Sequence, residues 1–274
     1  MNIFSEFLPA TELMPYVQTY WQGNFNVHGE DSFSQIVLPN GCIELIIHMT
    51  DDHCLLSKPK EGWSTSPEFT LLGLFENPYT VQFHRQVKVF GIRFYPDGIR
   101  NIFGVPPSEF IETYEAGFSV LGKQLQDFCA TLRERENVDQ QIQCANRFIT
   151  ARLSTNKRVY DYTHLTMRLI RGSQGMTGYQ ELIQQVPISP RQLQREFKNV
   201  YGITVKDYIR LSRLNAINRY MLSKNVNLSQ LPYELNFTDQ SHFIKEFKTF
   251  AGVAPTKFMR RRGQFIVNPG NGKD

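Results

Sequence analysis

The sequence predicts an α+β fold, with a β-rich barrel or sandwich and two appended helices first, followed by an all-α domain of seven helices. Three observations predict it. Apolar runs rich in β-branched and aromatic residues fill the first hundred positions. A helical spacing of apolar residues begins at Leu121, and a short pattern near the C-terminal end occurs twice.

Turn sequences separate the strands of the first half. Residues 35–38 and 42–47 flank Pro39-Asn40-Gly41, which predicts a hairpin because an Asn-Gly pair tolerates the left-handed backbone of a tight turn. Several short strands with such turns indicate a small barrel or sandwich. Further strands are predicted over 69–74, 81–83 and 87–95.

Two amphipathic helices are predicted next, joined by the polar stretch 133–137. Their apolar faces can pack back on the sheet or meet a second subunit, and the sequence leaves both arrangements open. The first face consists of Leu121, Leu125, Phe128 and Leu132, and the second of Val138, Ile142, Ala145, Ile149 and Leu153.

The charge of the chain is strongly uneven. Residues 1–156 hold 11 Lys and Arg against 18 Asp and Glu, whereas residues 157–274 hold 19 against 8. We place a domain boundary at this change of sign, with a β-rich domain over 1–156, a helical domain over 157–265 and a tail over 266–274. A basic domain suits a polyanionic partner, since cations that neutralise phosphates release counterions.

Membrane, secreted and redox classes are not indicated. No apolar run reaches the roughly 18 residues of a membrane span, and residues 1–12 lack the pattern of a signal peptide, so we expect a cytoplasmic protein. The cysteines form no C-x-x-C pair, which favours buried free thiols over zinc or disulfides and predicts no cofactor. They are Cys42, Cys54, Cys129 and Cys144.

One pattern occurs twice, fifty residues apart: Glu196-Phe197-Lys198 with Gly202 returns as Glu246-Phe247-Lys248 with Gly252. Each copy predicts a short amphipathic helix that ends at a glycine able to take the left-handed cap conformation. Ser189 to Gln192 predicts a capping box for the first helix, and Thr238 lies just before the second. An apolar face opposite a basic, amide-rich face is typical of a helix that enters the DNA major groove, so two helix-turn-helix motifs are predicted.

A long helix is predicted between the two copies. About 20 residues at roughly 1.5 Å each give it a length near 30 Å. Recognition helices at its two ends could enter successive major grooves, which recur about every 34 Å. The seven helices of the basic half are predicted over 161–171, 179–186, 189–201, 205–224, 230–235, 239–250 and 256–262.

A longer signature runs through this half of the chain. It comprises the run from Leu193 to Phe197, Arg213-Leu214 with Ala216, and the run from Phe237 through Phe247-Lys248 to Pro255. In these residues the segment 182–262 resembles the DNA-binding domain of AraC/XylS-type transcriptional regulators. The resemblance implies a double helix-turn-helix fold and a double-stranded DNA partner, with RNA polymerase as a second partner.

The resemblance also implies which side chains face the groove. Arginine and glutamine can bind guanine and adenine with two hydrogen bonds, while lysine more often holds phosphate. Lys198 and Lys248, the two copies of one lysine, complete the DNA-binding set. The groove-facing residues are Arg191, Gln194 and Arg195 in the first helix, and Gln240, Ser241, His242 and Lys245 in the second.

Three positions depart from the family's pattern. Pro187 and Asn236 stand where the family has turn glycines, and proline cannot take positive φ, so we expect a different turn in the first motif. Pro232 stands in the first helix of the second motif, where a proline is tolerated only in the first turn.

The first half resembles a sensor-type domain of unknown function found ahead of AraC-type domains, through Pro39-Asn40-Gly41-Cys42-x-Glu44-Leu45 and the run from Gly91 to Pro96. The resemblance implies a cupin-like domain that senses an unknown small-molecule or protein effector or forms a homodimer, and it identifies no effector-binding residue. The alternative is a cupin-like enzyme or metal-binding domain fused to a DNA-binding domain.

Two observations argue against that alternative. The residues His48, His53, His84 and Cys54 lack the His-x-His and Glu pattern of a metal cupin, so we expect no metal. No nucleophile with a matching base is visible either, so we expect no catalytic residues and a protein that is not an enzyme.

Overall fold

The computed structural model describes residues 3–27, 32–58, 62–116, 119, 121–156, 158–222, 230–234, 237 and 239–266. The chain divides into two compact units. The first comprises Met1–Ser34, Cys42–Leu74 and Thr80–Val159, and the second comprises Gln35–Gly41, Phe75–Tyr79 and Tyr160–Asp274. None of the helices formed by the described residues has the length and apolar character needed to span a membrane.

Of the strands formed by the described residues, all except the last lie in the first half of the chain. In chain order they are β1 Ile3–Phe7, β2 Val17–Asn26, β3 Phe33–Val37, β4 Ile43–His48, β5 Leu55–Lys58, β6 Gly62–Thr65, β7 Phe69–Leu72, β8 Tyr79–Phe83, β9 Gln86–Phe94, β10 Tyr114–Ala116 and β11 Phe265–Ile266.

Helices dominate the second half. In chain order they are α1 Pro96–Phe103, α2 Lys123–Arg133, α3 Val138–Thr155, α4 Tyr162–Gly172, α5 Tyr179–Gln184, α6 Pro190–Tyr201, α7 Val205–Leu222, α8 Leu231–Glu234, α9 Gln240–Ala251 and α10 Pro255–Arg260. The seven helices α4 to α10 lie within a few residues of the seven predicted ones, which confirms that the basic half is helical, although the short strand β11 was not predicted.

An antiparallel six-stranded sheet with the order β1-β2-β9-β4-β7-β10 forms the centre of the first unit. Strand β5 pairs with β6 and with β8 outside this sheet. Of the two predicted architectures the barrel is wrong, because the described strands form separate sheets that do not close. Strands β1, β2, β5, β6 and β10 were not predicted, and in β2 a glycine and several amide residues interrupt the apolar pattern.

The apolar faces of α2 and α3 pack on the first unit's sheet, which is one of the two arrangements that the sequence left open. Leu125 and Phe128 of α2 and Ile149 of α3 share one buried core with Ile92 of β9 and Leu45 of β4. All four cysteines are buried free thiols, as predicted.

The hairpin predicted around Pro39-Asn40-Gly41 is wrong. Strand β4 pairs along one edge with β9 and along the other with β7, so neither edge remains for β3. Strand β3 pairs instead in parallel with β11, where Ile36 lies opposite Phe265 and Val37 opposite Ile266. Gly41 still has the positive φ of 70° that a turn after Asn40 requires.

A buried ionic cluster crosses four strands of the first unit's sheet. Arg93 of β9 lies opposite Glu44 of β4, and its Nε donates to Glu44 Oε1 at 3.0 Å. Its Nη1 donates to Glu6 Oε1 of β1 at 2.9 Å, and Trp21 Nε1 of β2 donates to Glu44 Oε2 at 2.9 Å. Burial opposes the charge of Arg93, but Glu44 and Glu6 outweigh it and raise the pKa of the guanidinium.

Gly91 makes this cluster possible by leaving room for Trp21. A Cβ at Gly91 would lie 2.0 Å from the indole Cε2, a distance that no side chain could tolerate. The two sequence signatures of the first half, one containing Glu44 and the other Gly91 and Arg93, therefore meet at one place. They build the interior of a sheet, where each carboxylate has a charged or N–H partner.

The four residues that the sequence analysis compared with a metal site either make other contacts or lie exposed. His48 is buried, its Nε2 lies 2.9 Å from Ser66 Oγ, and its ring stacks on His53 at 4.6 Å between centroids. Cys54 Sγ donates to Ser66 Oγ at 3.3 Å. His84 is exposed. Within the described ranges, no group of three His, Cys, Asp or Glu side chains could hold a metal ion.

A segment of the first half completes the second unit. Leu38 is 3% exposed and packs in one core with Leu211 and Leu214 of α7 and Phe243 of α9. The Tyr208 hydroxyl donates to the carbonyl oxygen of Gly41 at 3.2 Å. Together with the β3–β11 pair, these contacts make Gln35–Gly41 an integral part of the helical unit.

We predict that Leu38→Ala lowers the free energy of unfolding of the helical unit by about 2 to 5 kcal/mol, because it leaves a cavity in a well-packed core. Denaturant unfolding followed by far-UV circular dichroism measures the change, since helices dominate that signal. The matched control is Leu8→Ala, whose leucine is 47% exposed and should change stability little. Equal effects of the two variants would contradict the core role of Leu38.

We predict that the first unit loses stability as the pH falls from about 6.5 to 4 through His48. Burial first, and the neighbouring His53 second, lower the pKa of His48 to about 4, so the folded protein holds it neutral while the unfolded chain protonates near pH 6.5. This stabilisation is complete above the unfolded pKa and is lost across that window, by about 3 kcal/mol in total.

Urea unfolding between pH 7.5 and 4.5, followed by the fluorescence of Trp21 and Trp63, measures this loss. His48→Gln should remove that part of the pH dependence, and His84→Gln should leave it intact because His84 is exposed. The same pH dependence in the wild type and in His48→Gln would show that other groups cause it.

Candidate nucleic-acid interface

The first helix-turn-helix motif consists of α5 and α6. Ser189 caps α6 by accepting from the Gln192 backbone N–H at 3.3 Å, and Pro190 occupies the first turn, where its missing N–H costs nothing. The helix ends at Gly202, whose φ of 78° is the left-handed cap. Leu193 and Phe197 are fully buried, so the opposite side of α6 faces outward.

The second motif consists of α8 and α9 and repeats this construction. Asp239 caps α9 by accepting from the His242 backbone N–H at 2.8 Å, and the helix ends at Gly252, with φ of 72°. Phe243 and Phe247 are buried in the positions of Leu193 and Phe197. Thr238, which lies just before the cap, falls outside the described residues.

The two proline departures have simple structural readings. Pro232 is the second residue of α8, in its first turn, as the sequence required. None of residues 185–188, around Pro187, has a positive φ, so the turn of the first motif differs from a glycine turn as predicted. Asn236 lies outside the described residues.

Helix α7 connects the two motifs and packs against both α6 and α9. Its 18 described residues correspond to about 27 Å, and the last two positions of the predicted helix, 223 and 224, lie outside the described part of the chain. The predicted apolar stripe is buried: Val205, Tyr208, Leu214, Ile217 and Met221 are all at most 3% exposed. One helix therefore fixes the positions of both recognition helices within the unit.

Arg213 of α7 explains one element of the sequence signature. Its Nε donates to the carbonyl oxygen of Gly175 at 3.1 Å, and its guanidinium lies 5.5 Å from the centre of the Phe237 ring. Gly175 comes before the first motif and Phe237 lies in the second, so one arginine of α7 links the segment before the first motif to the second motif.

Most of the predicted DNA-binding side chains lie on the exposed faces of α6 and α9. The side chain of Arg195 is 70% exposed, and its Nη2 lies 3.9 Å from Glu196 Oε1. The exposed residues are Arg191, Arg195 and Lys198 of α6, and Gln240, Ser241, Lys245 and Lys248 of α9. They form one polar surface on each helix, with three basic side chains on α6 and two on α9.

Gln194 and His242 are only partly exposed. The His242 ring meets the Phe237 ring edge to face at 5.5 Å, and its Nε2 lies 3.3 Å from Glu246 Oε1 on the next turn. Its side chain is 42% exposed, so it both packs and reaches the surface.

The predicted capping box at Ser189 is only half formed. The Ser189 hydroxyl accepts from the Gln192 backbone, but the Gln192 side chain turns away and donates to Glu196 Oε1 at 2.8 Å. The sequence interpretation missed this pair. Its signal is nevertheless present, because Gln192 and Glu196 recur at the same spacing as His242 and Glu246.

Comparisons with known proteins agree with this geometry. A family profile described as a helix-turn-helix domain matches residues 182–261, and one described as a domain of unknown function (DUF6597) matches residues 5–115. The bifunctional transcriptional activator/DNA repair enzyme AdaA of Bacillus subtilis is 30% identical over 70 residues. The transcriptional activator AarP of Providencia stuartii is 27% identical over 66 residues.

These curated relatives match only part of either chain. The AdaA match covers 26% of this chain and 33% of AdaA, and the AarP match covers 24% of this chain and 49% of AarP. This chain thus spans about a third and about half of their lengths. A crystal structure of ToxT from Vibrio cholerae is similar over 88% of this chain and 98% of that one, with a TM-score of 0.50 and 13% identity.

The ToxT likeness shows a shared fold across both halves of the chain. The paired caps, the paired glycines and the matched profile all fall in the same stretch of sequence. Residues 182–261 therefore form an AraC-type double helix-turn-helix domain, and the residues before it include a β-rich domain of unknown function.

Proposed function

We propose that this protein is a sequence-specific transcriptional regulator that binds double-stranded DNA through α6 and α9. The observation that carries the proposal is the repeated construction of these helices. Each is capped, buries two large apolar residues and presents a polar outer face, and each packs on α7. Such helices suit successive major grooves on one side of a duplex.

The outer faces suggest a division of labour among their side chains. Arg191, Gln194 and Arg195 have the donors and acceptors that read base edges, while Lys198 and Lys248 suit phosphates as flexible point charges. In α9, the residues Gln240, Ser241, His242 and Lys245 take the corresponding base-facing role. Supporting this, the side chain of Arg195 is 70% exposed, and its guanidinium makes only a long contact of 3.9 Å with Glu196.

For the β-rich domain we propose a regulatory role without enzymatic activity. It senses an effector or forms a homodimer. Either the effector or the second subunit changes the affinity for DNA only to the extent that it binds two states of the protein, one that binds DNA more tightly and one that binds it less tightly, with different affinities. RNA polymerase is the further partner of a cytoplasmic regulator of this class. Gel filtration detects a dimer, and a thermal-shift screen detects an effector. One crystal structure of ToxT holds an unsaturated fatty acid, which makes fatty acids a reasonable first probe class.

The proposed DNA binding is tested by its dependence on salt. If about six phosphates are contacted, the slope of log affinity against log salt concentration for the full chain should be near −5. Fluorescence anisotropy with a labelled duplex between low and moderate salt measures the slope. A slope near zero would contradict the electrostatic part of the proposal.

We predict that Arg195→Ala and Lys248→Ala differ in kind. Loss of a base-reading arginine should cost about 1 to 3 kcal/mol on the best operator and relax preference at one base pair. Loss of a phosphate-binding lysine should weaken all sequences similarly and reduce the salt slope by about one. Affinities measured on the best operator, obtained by selection from random DNA, and on random duplex separate these patterns. Equal losses on both duplexes for Arg195→Ala would show that Arg195 does not read a base.

A further inference from the structure

Both recognition helices carry a glutamate that holds the polar side chain one turn before it. Gln192 Nε2 donates to Glu196 Oε1 at 2.8 Å, and His242 Nε2 lies 3.3 Å from Glu246 Oε1. The two pairs occupy equivalent places in the duplicated unit, fifty residues apart. Each recognition helix thus contains the same contact between a glutamate and the side chain four residues before it, which is an amide in α6 and an imidazole in α9.

These glutamates are unexpected on a helix that approaches a polyanion. A carboxylate near phosphates lowers affinity for every DNA sequence. Glu196 is 35% exposed and Glu246 22% exposed, so neither has withdrawn fully from the surface. Because these glutamates lower the affinity for DNA, they must have a role other than attraction to the phosphate backbone.

The contact leaves the Gln192 amide suited to one base. An amide nitrogen carries two donors, and Glu196 takes one of them. The remaining N–H and the amide oxygen form the donor and acceptor pair that matches adenine N7 and N6 in the major groove. Holding the side chain in advance also reduces the rotamer entropy that binding would otherwise cost.

The position of Gln192 suits this role. It is exposed and lies one turn before Arg195 on the outward side of α6, next to Arg191. Its backbone N–H is bound to the Ser189 cap, so the side chain starts from a fixed point. His242 occupies the same place in α9, where Phe237 and Glu246 hold its ring on two sides.

We propose that Gln192 is a further specificity-determining residue, which reads an adenine, and that Glu196 and Glu246 are positioning residues that orient Gln192 and His242 for base contact. This inference rests on the proposed DNA-binding function and adds to it the reading of one more base pair. An ordinary surface contact between neighbouring turns, by contrast, only stabilises the helix slightly and recognises no base.

The test uses the full-length chain and sites selected from random DNA. Gln192→Ala should lower discrimination at one adenine-containing base pair by about 5- to 150-fold and leave the rest of the site unchanged. Glu196→Ala should weaken the same base preference while raising affinity for random duplex, because a negative charge is removed. Glu196→Gln, whose amide oxygen can still accept from Gln192, should restore the base preference without the charge.

Glu181→Ala is the matched charge control, because Glu181 is an exposed glutamate on α5 of the same motif. It should raise affinity for random DNA without changing the base profile. Glu246→Ala should weaken the base preference under α9 in the same way. Far-UV circular dichroism checks that each variant remains folded.

Two results would overturn the inference while leaving the proposed function intact. One is an unchanged site profile for Gln192→Ala, and the other is a Glu196→Ala variant that behaves as Glu181→Ala does. A wild-type chain that selects no site and shows no salt-dependent binding would overturn the proposed function together with the inference.

Discussion

The outward faces of both recognition helices depend on the burial of their inner faces against α7. Leu193 and Phe197 on α6, and Phe243 and Phe247 on α9, are buried almost completely. Because apolar residues four apart lie on one side of a helix, burying them determines which residues remain outside. The polar residues between them face solvent as a result, without any further contact to orient the helix. The arrangement of the side chains that we propose to bind DNA is therefore a consequence of hydrophobic packing, and both motifs pack on the same helix α7.

The interiors of the two units differ in one respect. Both have cores of aromatic and aliphatic side chains, which tolerate changes of similar volume. The β-rich unit has Arg93 with two carboxylates inside its sheet, and removing one partner there would leave a buried charge unpaired. The sequence signatures differ accordingly: spaced apolar residues in the second half, and fixed Glu, Gly and Arg positions in the first.

Local patterns made the helical half predictable, and non-local pairing made the β-rich half less so. The caps at Ser189 and Gly202, and the spacing of the apolar residues, are properties of neighbouring residues, so they could be read directly. The partner of β3 could not, because β11 lies more than two hundred residues away in sequence. The predicted hairpin failed for that reason: Asn40-Gly41 does form a turn, but a turn does not decide which strands pair. The Gln192–Glu196 pair was missed because the capping-box pattern offered Gln192 a different partner.

The helical unit is not one continuous stretch of sequence, because it includes the strand and loop over Gln35–Gly41. The change of charge near residue 157 marks a chemical boundary, since a basic surface is useful only where DNA is approached. Packing follows a different division, because Leu38 fills the core beneath α9 and β3 supplies the partner of β11. A fragment that begins at residue 157 would expose apolar surface of α7 and leave the backbone of Phe265 and Ile266 without its strand partner. Mutations at Ile36 to Leu38 should therefore be read as changes to the DNA-binding unit, although these residues lie within the sequence of the β-rich half.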